Sequence, residues 1–65
     1  MDDYKALRAE INKQKTLRNM TNGDLAKATN LAKSTINCFM CGNRYSELVD
    51  SRIREALDIP KDLAV

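Results

Sequence analysis

The chain contains no histidine, and in 65 residues it has only two cysteines, one proline and two glycines. Without histidine no side chain has an ordinary pKa suited to a general base near neutral pH, and two separated glycines build no phosphate-binding loop. The usual starting points for catalysis are missing, so the expectation is a protein that is not an enzyme. Cys38 and Cys41 offer two ligands where zinc takes four, and a disulfide between them inside a regular helix would strain its geometry. Two cysteines build no disulfide framework either, so both are expected as plain thiols in a reducing compartment, with no metal and no cofactor. No apolar run approaches the length of a membrane span, and the opening MDDY lacks the positive and apolar regions of a signal peptide. The expected location is therefore the cytoplasm, with no membrane partner and no small-molecule ligand in view. Alternation is scarce, β-branched residues are few and turn punctuation is sparse, so strands are disfavoured and helices expected.

What the chain does have is 43% hydrophobic and 31% charged residues, which suits one small folded domain over residues 1–65 rather than a disordered segment. A domain of this size buries only about 60% of the surface its unfolded form exposes, which leaves it marginally stable and makes self-association plausible. The net charge is +2, unevenly spread. Residues 1–44 carry Lys5, Arg8, Lys13, Lys15, Arg18, Lys27, Lys33 and Arg44 against Asp2, Asp3, Glu10 and Asp24. Residues 45–65 reverse the balance, with Arg52, Arg54 and Lys61 against Glu47, Asp50, Glu55, Asp58 and Asp62. A phosphate-facing surface is thus expected on the first two thirds, although solvated helix faces account for many of the same charges.

Tyr4, Leu7 and Ile11 recur at helical spacing behind Asp2 and Asp3, either of which can cap, so a first helix is expected over about 3–18. Its later part, NKQKTLR, is polar apart from Leu17 and should be exposed. Thr21 can cap a second helix whose third residue, Asp24, reaches back, with Met20 and Leu25 at staple positions. That helix is expected over about 22–29, with Leu25, Ala26 and Thr29 as its contact face. Asn30 tolerates the left-handed conformation that ends it, and Leu31 plugs the corner. A third helix is expected over about 33–41 with Gly42 as its left-handed terminator. Ser46 or Asp50 can cap a fourth over about 46–57, with Val49, Ile53, Ala56 and Leu57 on one side. Ile59 and Pro60 leave it, and KDLAV is either one extra turn or a frayed end.

On a helical wheel centred on Ile36, Phe39 and Met40 lie within about 60° and Ala32 about 40° away, which defines the expected buried stripe. Asn37, Ser34, Cys41 and Cys38 cluster between about 100° and 200°, with Lys33 and Thr35 on the flanks. This outward face is short, polar and nearly uncharged, offering amide, hydroxyl, thiol and one lysine, groups that can read base edges. A capped short helix, a left-handed residue, an apolar corner and an outward polar helix follow one another without spare residues. That order is the helix-turn-helix unit.

At this point Thr21 to Arg44 resembles the helix-turn-helix domains of phage Cro proteins, phage repressors and the xenobiotic-response-element-type regulators. Their pattern runs approximately T-Q-x-x-L-A-x-x-x-G-V-S-x-x-T-I-S-x-x-E-x-G-x-R and aligns without a gap. Thr21, Leu25, Ala26, Thr35, Ile36, Gly42 and Arg44 match, and Asn22, Leu31 and Phe39 are close in kind. RIREALDIP is similar to the family's fourth helix, and LRAEI in helix 1 is reminiscent of small phage regulators. Three positions depart: Asn30 stands for the turn glycine, Ala32 for a capping serine, and Met40 for a glutamate that often makes an ion pair.

The resemblance implies an all-α, lambda-repressor-like domain of four to five short helices that binds double-stranded DNA as a transcriptional regulator, a repressor rather than an activator. Helix 3 becomes the recognition helix, with Lys33, Ser34, Asn37 and Cys38 nearest the bases. Lys33 suits guanine O6 or N7, Asn37 an adenine edge, Ser34 a base or phosphate, and Cys38 a shape or apolar contact. Asn22 is placed for phosphate at the start of helix 2, where free amides favour anions, and Asn43 and Arg44 for phosphate after helix 3. Thr35 is left open between DNA contact, burial and an intrahelical hydrogen bond. Family members usually bind as dimers, so a homodimer on DNA is expected, with helix 4 and the apolar end Leu63 to Val65 as the candidate pairing surface. The alternative is a helix-turn-helix module that binds protein, antirepressor-like, and no DNA.

Overall fold

Four helices account for most of residues 4–63, the part of the chain that the computed structural model describes. They are α1 (Lys5–Arg18), α2 (Asn22–Thr29), α3 (Lys33–Met40) and α4 (Glu47–Leu57), and no strand occurs among the described residues. Leu7, Ile11, Leu25, Ile36, Phe39, Val49, Ile53 and Leu57 meet in one core, which Tyr4 and Ile59 close at its edges. α4 packs against each of the other three helices, and α2 lies against α3.

The ends of α2 follow from local chemistry. Thr21 Oγ1 accepts from the Asp24 amide at 3.1 Å while the Asp24 carboxylate accepts from the Thr21 amide at 3.0 Å, a reciprocal cap. Asn30 adopts φ 60°, and the Asn30 and Leu31 amides bond the carbonyls of Lys27 and Ala26. α1 ends in the same way, through Asn19 at φ 60°. Met20 and Leu31, at the two corners, are half-buried against the core.

α1 begins at Lys5, two residues later than the spacing predicts, because Tyr4 is left-handed at φ 52°. Asp2 and Asp3, the expected caps, lie outside the described residues. Tyr4 is instead fixed by its side chain: the hydroxyl shares its one proton between the carbonyls of Phe39 at 2.7 Å and Arg44 at 2.9 Å. α3 ends at Met40 with Cys41 as its cap, in line with the expected end, and Gly42 is left-handed at φ 78° as expected. The left-handed φ is what favours glycine there; a Cβ would also stand 3.1 Å from the Arg8 guanidinium carbon, which would have to give way slightly. Ala32, expected in the buried stripe, is exposed: it is extended at φ −69°, ψ 145°, ahead of the helix, so the wheel does not apply to it. Where the resemblance has a glutamate, Met40 receives Arg8 through its backbone carbonyl at 3.3 Å.

Ser46 caps α4, accepting from the Val49 amide at 3.4 Å, and the helix begins at Glu47. Asp50 is not a cap. It lies one turn in and is 7% exposed, beside Arg54 at 5%, with the Arg54 Nε 2.5 Å from its carboxylate. Arg54 also donates to the carbonyls of Pro60 at 2.8 Å and Lys61 at 3.1 Å, which ties the end of the chain to α4. Ile59 therefore leaves the helix yet stays in the core, and residues 60–63 form a single turn closed by the Leu63 amide on the Pro60 carbonyl at 3.2 Å. Leu63, expected on a pairing surface, is half-buried against its own core, and Ala64 and Val65 lie outside the described residues.

The Tyr45 hydroxyl donates to the second oxygen of Asp50. That bond, helped by burial, pushes its pKa up to about 12. Below pH 10 the folded and unfolded chains both keep the proton and the contribution to stability is complete. Between pH 10 and about 12 the unfolded chain loses it first, so stability falls with rising pH. Urea midpoints measured from pH 9 to 12 should decline over that window in the parent and stay flatter in Tyr45→Phe. Parallel curves would remove the bond from the account.

Candidate functional site

On α3 the split between faces is sharp. Ile36 and Phe39 point into the core, while Lys33, Ser34, Thr35, Asn37 and Cys38 are all exposed. Thr35, which the sequence leaves open, thus stands outside. The two thiols of Cys38 and Cys41 are both free and exposed.

These residues form two adjoining patches. The first gathers at the start of α2. Asn22 Nδ2 donates to Asn37 Oδ1 at 2.9 Å, joining the first residue of α2 to the middle of α3. Lys15, near the end of α1, donates through Nζ to Asn22 Oδ1. Lys33 comes to the same place, its Cε 4.0 Å from where a Cβ on Gly23 would stand. The expected free amides are fewer than the sequence suggests, because the Asp24 amide is taken by Thr21. Those of Asn22 and Gly23 have no acceptor within the helix. The bond from the Thr21 amide holds the Asp24 carboxyl below the usual range, so a negative charge also stands at this end.

The second patch is a hollow of about 460 Å³ between α3 and α4, lined by Ser34, Thr35, Cys38 and Arg44 on its polar side and by Phe39, Tyr45 and Val49 beneath. Asn43 lies exposed in the turn that leads there, its amide 3.4 Å from the Cys38 carbonyl. All eight residues singled out from the sequence are thereby placed along α3 and its two approaches. Lys15 is the one the sequence reading missed: it sits in a polar run that looked like solvated helix, and its partner is on another helix.

Charge at the site is carried mostly by lysine. Arg8 and Arg18 donate to the carbonyls of Met40 and Leu57, Arg52 to that of Thr29, and Arg54 to Asp50. Arg8, Arg18 and Arg52 thus tie one helix to another and Arg54 is buried on Asp50, while Lys13, Arg18, Lys27, Lys33 and Arg44 are among the exposed cations.

Among the described residues no three metal-ligating side chains gather, and no helix is long and apolar enough to cross a membrane. No protein-family model matches the chain, and no curated protein or solved structure shows significant similarity to it.

Proposed function

We propose that the chain is a sequence-specific, double-stranded DNA-binding transcriptional regulator of the Cro and repressor kind, acting in the cytoplasm as a repressor. α2 and α3 are its helix-turn-helix, and α3 enters the major groove. The observation that carries this reading is the exposed face of α3, short, polar and almost without charge, braced by the Asn37 to Asn22 hydrogen bond. A face meant only for water gains nothing from holding an amide still, whereas reading a base requires it. Lys33, Ser34, Asn37 and Cys38 meet base edges. Asn22, Asn43 and Arg44 contact phosphate, with Thr35 at the margin of the hollow that leads to Arg44.

A single domain with so few outward cations binds weakly, so the working species is a homodimer on two half-sites. With Leu63 turned inward, α4 is left as the pairing surface, and its Leu48 is 56% exposed.

The test is a titration with duplexes from the protein's own promoter region, and with scrambled duplexes, at two salt concentrations. Affinity should fall steeply with salt, with a logarithmic slope of about −2 to −4 per domain from counterion release. No binding at low salt would sink the proposal. Asn37→Ala should cost about 1 to 3 kcal/mol and flatten the preference at one base pair. Arg44→Ala should weaken all sequences alike, and an unchanged preference after Asn37→Ala takes that residue out of the reading set.

One observation favours the second reading, a protein-binding module. The partial or full burial of Arg8, Arg52 and Arg54 leaves a surface poorer in guanidinium than phosphate binding favours. That reading predicts no salt-dependent binding to any duplex.

A further inference from the structure

We infer that Lys15, on α1 and outside the recognition helix, sets which base Asn37 reads; the inference rests on the DNA-binding function proposed above. The relay of Lys15, Asn22 and Asn37 has a direction. A lysine ammonium only donates, so Asn22 must turn its Oδ1 toward Lys15. With the oxygen so placed, Asn22 Nδ2 faces Asn37, which must answer with its own Oδ1, 2.9 Å away. Asn37 is exposed, and the group it is left to present outward is Nδ2 with both hydrogens.

An outward amino group matches a base edge made of acceptors. In the major groove guanine offers N7 and O6 together, whereas adenine pairs its N7 with a donor and cytosine offers a donor alone. The adenine pairing expected from sequence needs an amide oxygen that is fully available, and here one lone pair is occupied by Asn22. The other remains, so the preference for guanine is graded rather than absolute. Lys15 acts as a positioning residue: it touches no base, yet reversing its hydrogen-bonding character reverses the chain. A carboxylate at position 15 accepts from Asn22 Nδ2, which turns Asn22 Oδ1 toward Asn37, draws in Asn37 Nδ2 and leaves Asn37 Oδ1 outermost.

The experiment selects duplexes from a randomised library with the full chain and with Lys15→Glu, Lys15→Met and Asn37→Ala, after thermal melting has established that each is folded. The position under test is the one whose preference disappears in Asn37→Ala. There the parent should favour guanine over adenine by roughly ten-fold. Lys15→Glu should move the preference to adenine or cytosine, the bases that present an amino group, and Lys15→Met should flatten it to about two-fold. Lys15→Glu retaining guanine, even with weaker overall binding, would make Lys15 a general electrostatic contact and overturn the inference while leaving DNA binding intact. A parent preference for adenine or cytosine would overturn it too. If no protein enriches any duplex, the DNA-binding function falls and this inference with it.

Discussion

Asp50→Ala is expected to destabilise the domain by about 3 kcal/mol, toward the low end for breaking a buried ion pair. Most of the loss comes from Arg54, which is 5% exposed and would keep its charge without a counter-charge. The carbonyls of Pro60 and Lys61 still receive its donors, which is why the low end applies. Tyr45 loses its acceptor as well, but at 41% exposure its hydroxyl can turn to water at small cost. A domain of this length is stable by about 3 to 10 kcal/mol, so the variant should show a strongly lowered urea midpoint. The companion Asp50→Leu/Arg54→Met removes both charges and should recover more than half the loss. A cost below about 1 kcal/mol for Asp50→Ala would mean that water reaches the pair, and the buried-charge account would fail.

The features legible in the sequence are those whose cause is local. The Thr21 and Asp24 cap, the left-handed Asn30 and the left-handed Gly42 each depend on a few neighbouring side chains, and each stands where expected. Asn19 carries the same signal as Asn30 and ends α1 by the same means, so the rule extends further than its first use. Features set by distant residues stayed out of reach. Asp50 reads as a possible cap and Arg54 as one more charge of the tail, whereas Tyr45 and the returning chain at Pro60 and Lys61 bind the two side chains inside the fold. Leu63 looked like a free apolar end for the same reason. Tyr4 was placed on the helical stripe by its spacing, but the acceptors at Phe39 and Arg44 that hold it belong to the far side of the fold.

The candidate site divides along the same line. The outward face of α3 follows from periodicity alone, since burying Ile36 and Phe39 forces Asn37 and Cys38 outward. Which way the Asn37 amide points does not follow from periodicity, because Lys15 and Asn22 decide it from two other helices. Distribution of charge was likewise only half visible. Composition counts Arg8 and Arg18 toward a basic surface, yet both donate to carbonyls of other helices. With Arg8 half-buried and Arg54 buried, the surface is less basic than the sequence total suggests.

Phe39→Ala should have the largest effect of any single change in the domain, about 3 to 5 kcal/mol. Phe39 is the largest fully buried side chain, at 1% exposure. Its ring lies 4.7 Å from that of Tyr4 and 6.0 Å from that of Tyr45, so truncation opens a cavity where α1, α3 and the start of α4 converge. The surrounding groups cannot easily collapse into it. Tyr4 is held by its hydroxyl on the carbonyls of Phe39 and Arg44, and Tyr45 by Asp50. For a domain of this size each kcal/mol lowers the melting temperature by about 4 to 8 °C, so the transition should drop by more than 12 °C or lose its cooperativity. Tyr4→Phe supplies the contrast: the ring stays, the hydrogen bond shared between two carbonyls goes, and the cost should be about 1 to 2 kcal/mol. If Phe39→Ala costs no more than Tyr4→Phe, the aromatic cluster is not what seats α3. If it melts as argued, the outward face of α3 owes its position to a side chain on the opposite face of the same helix.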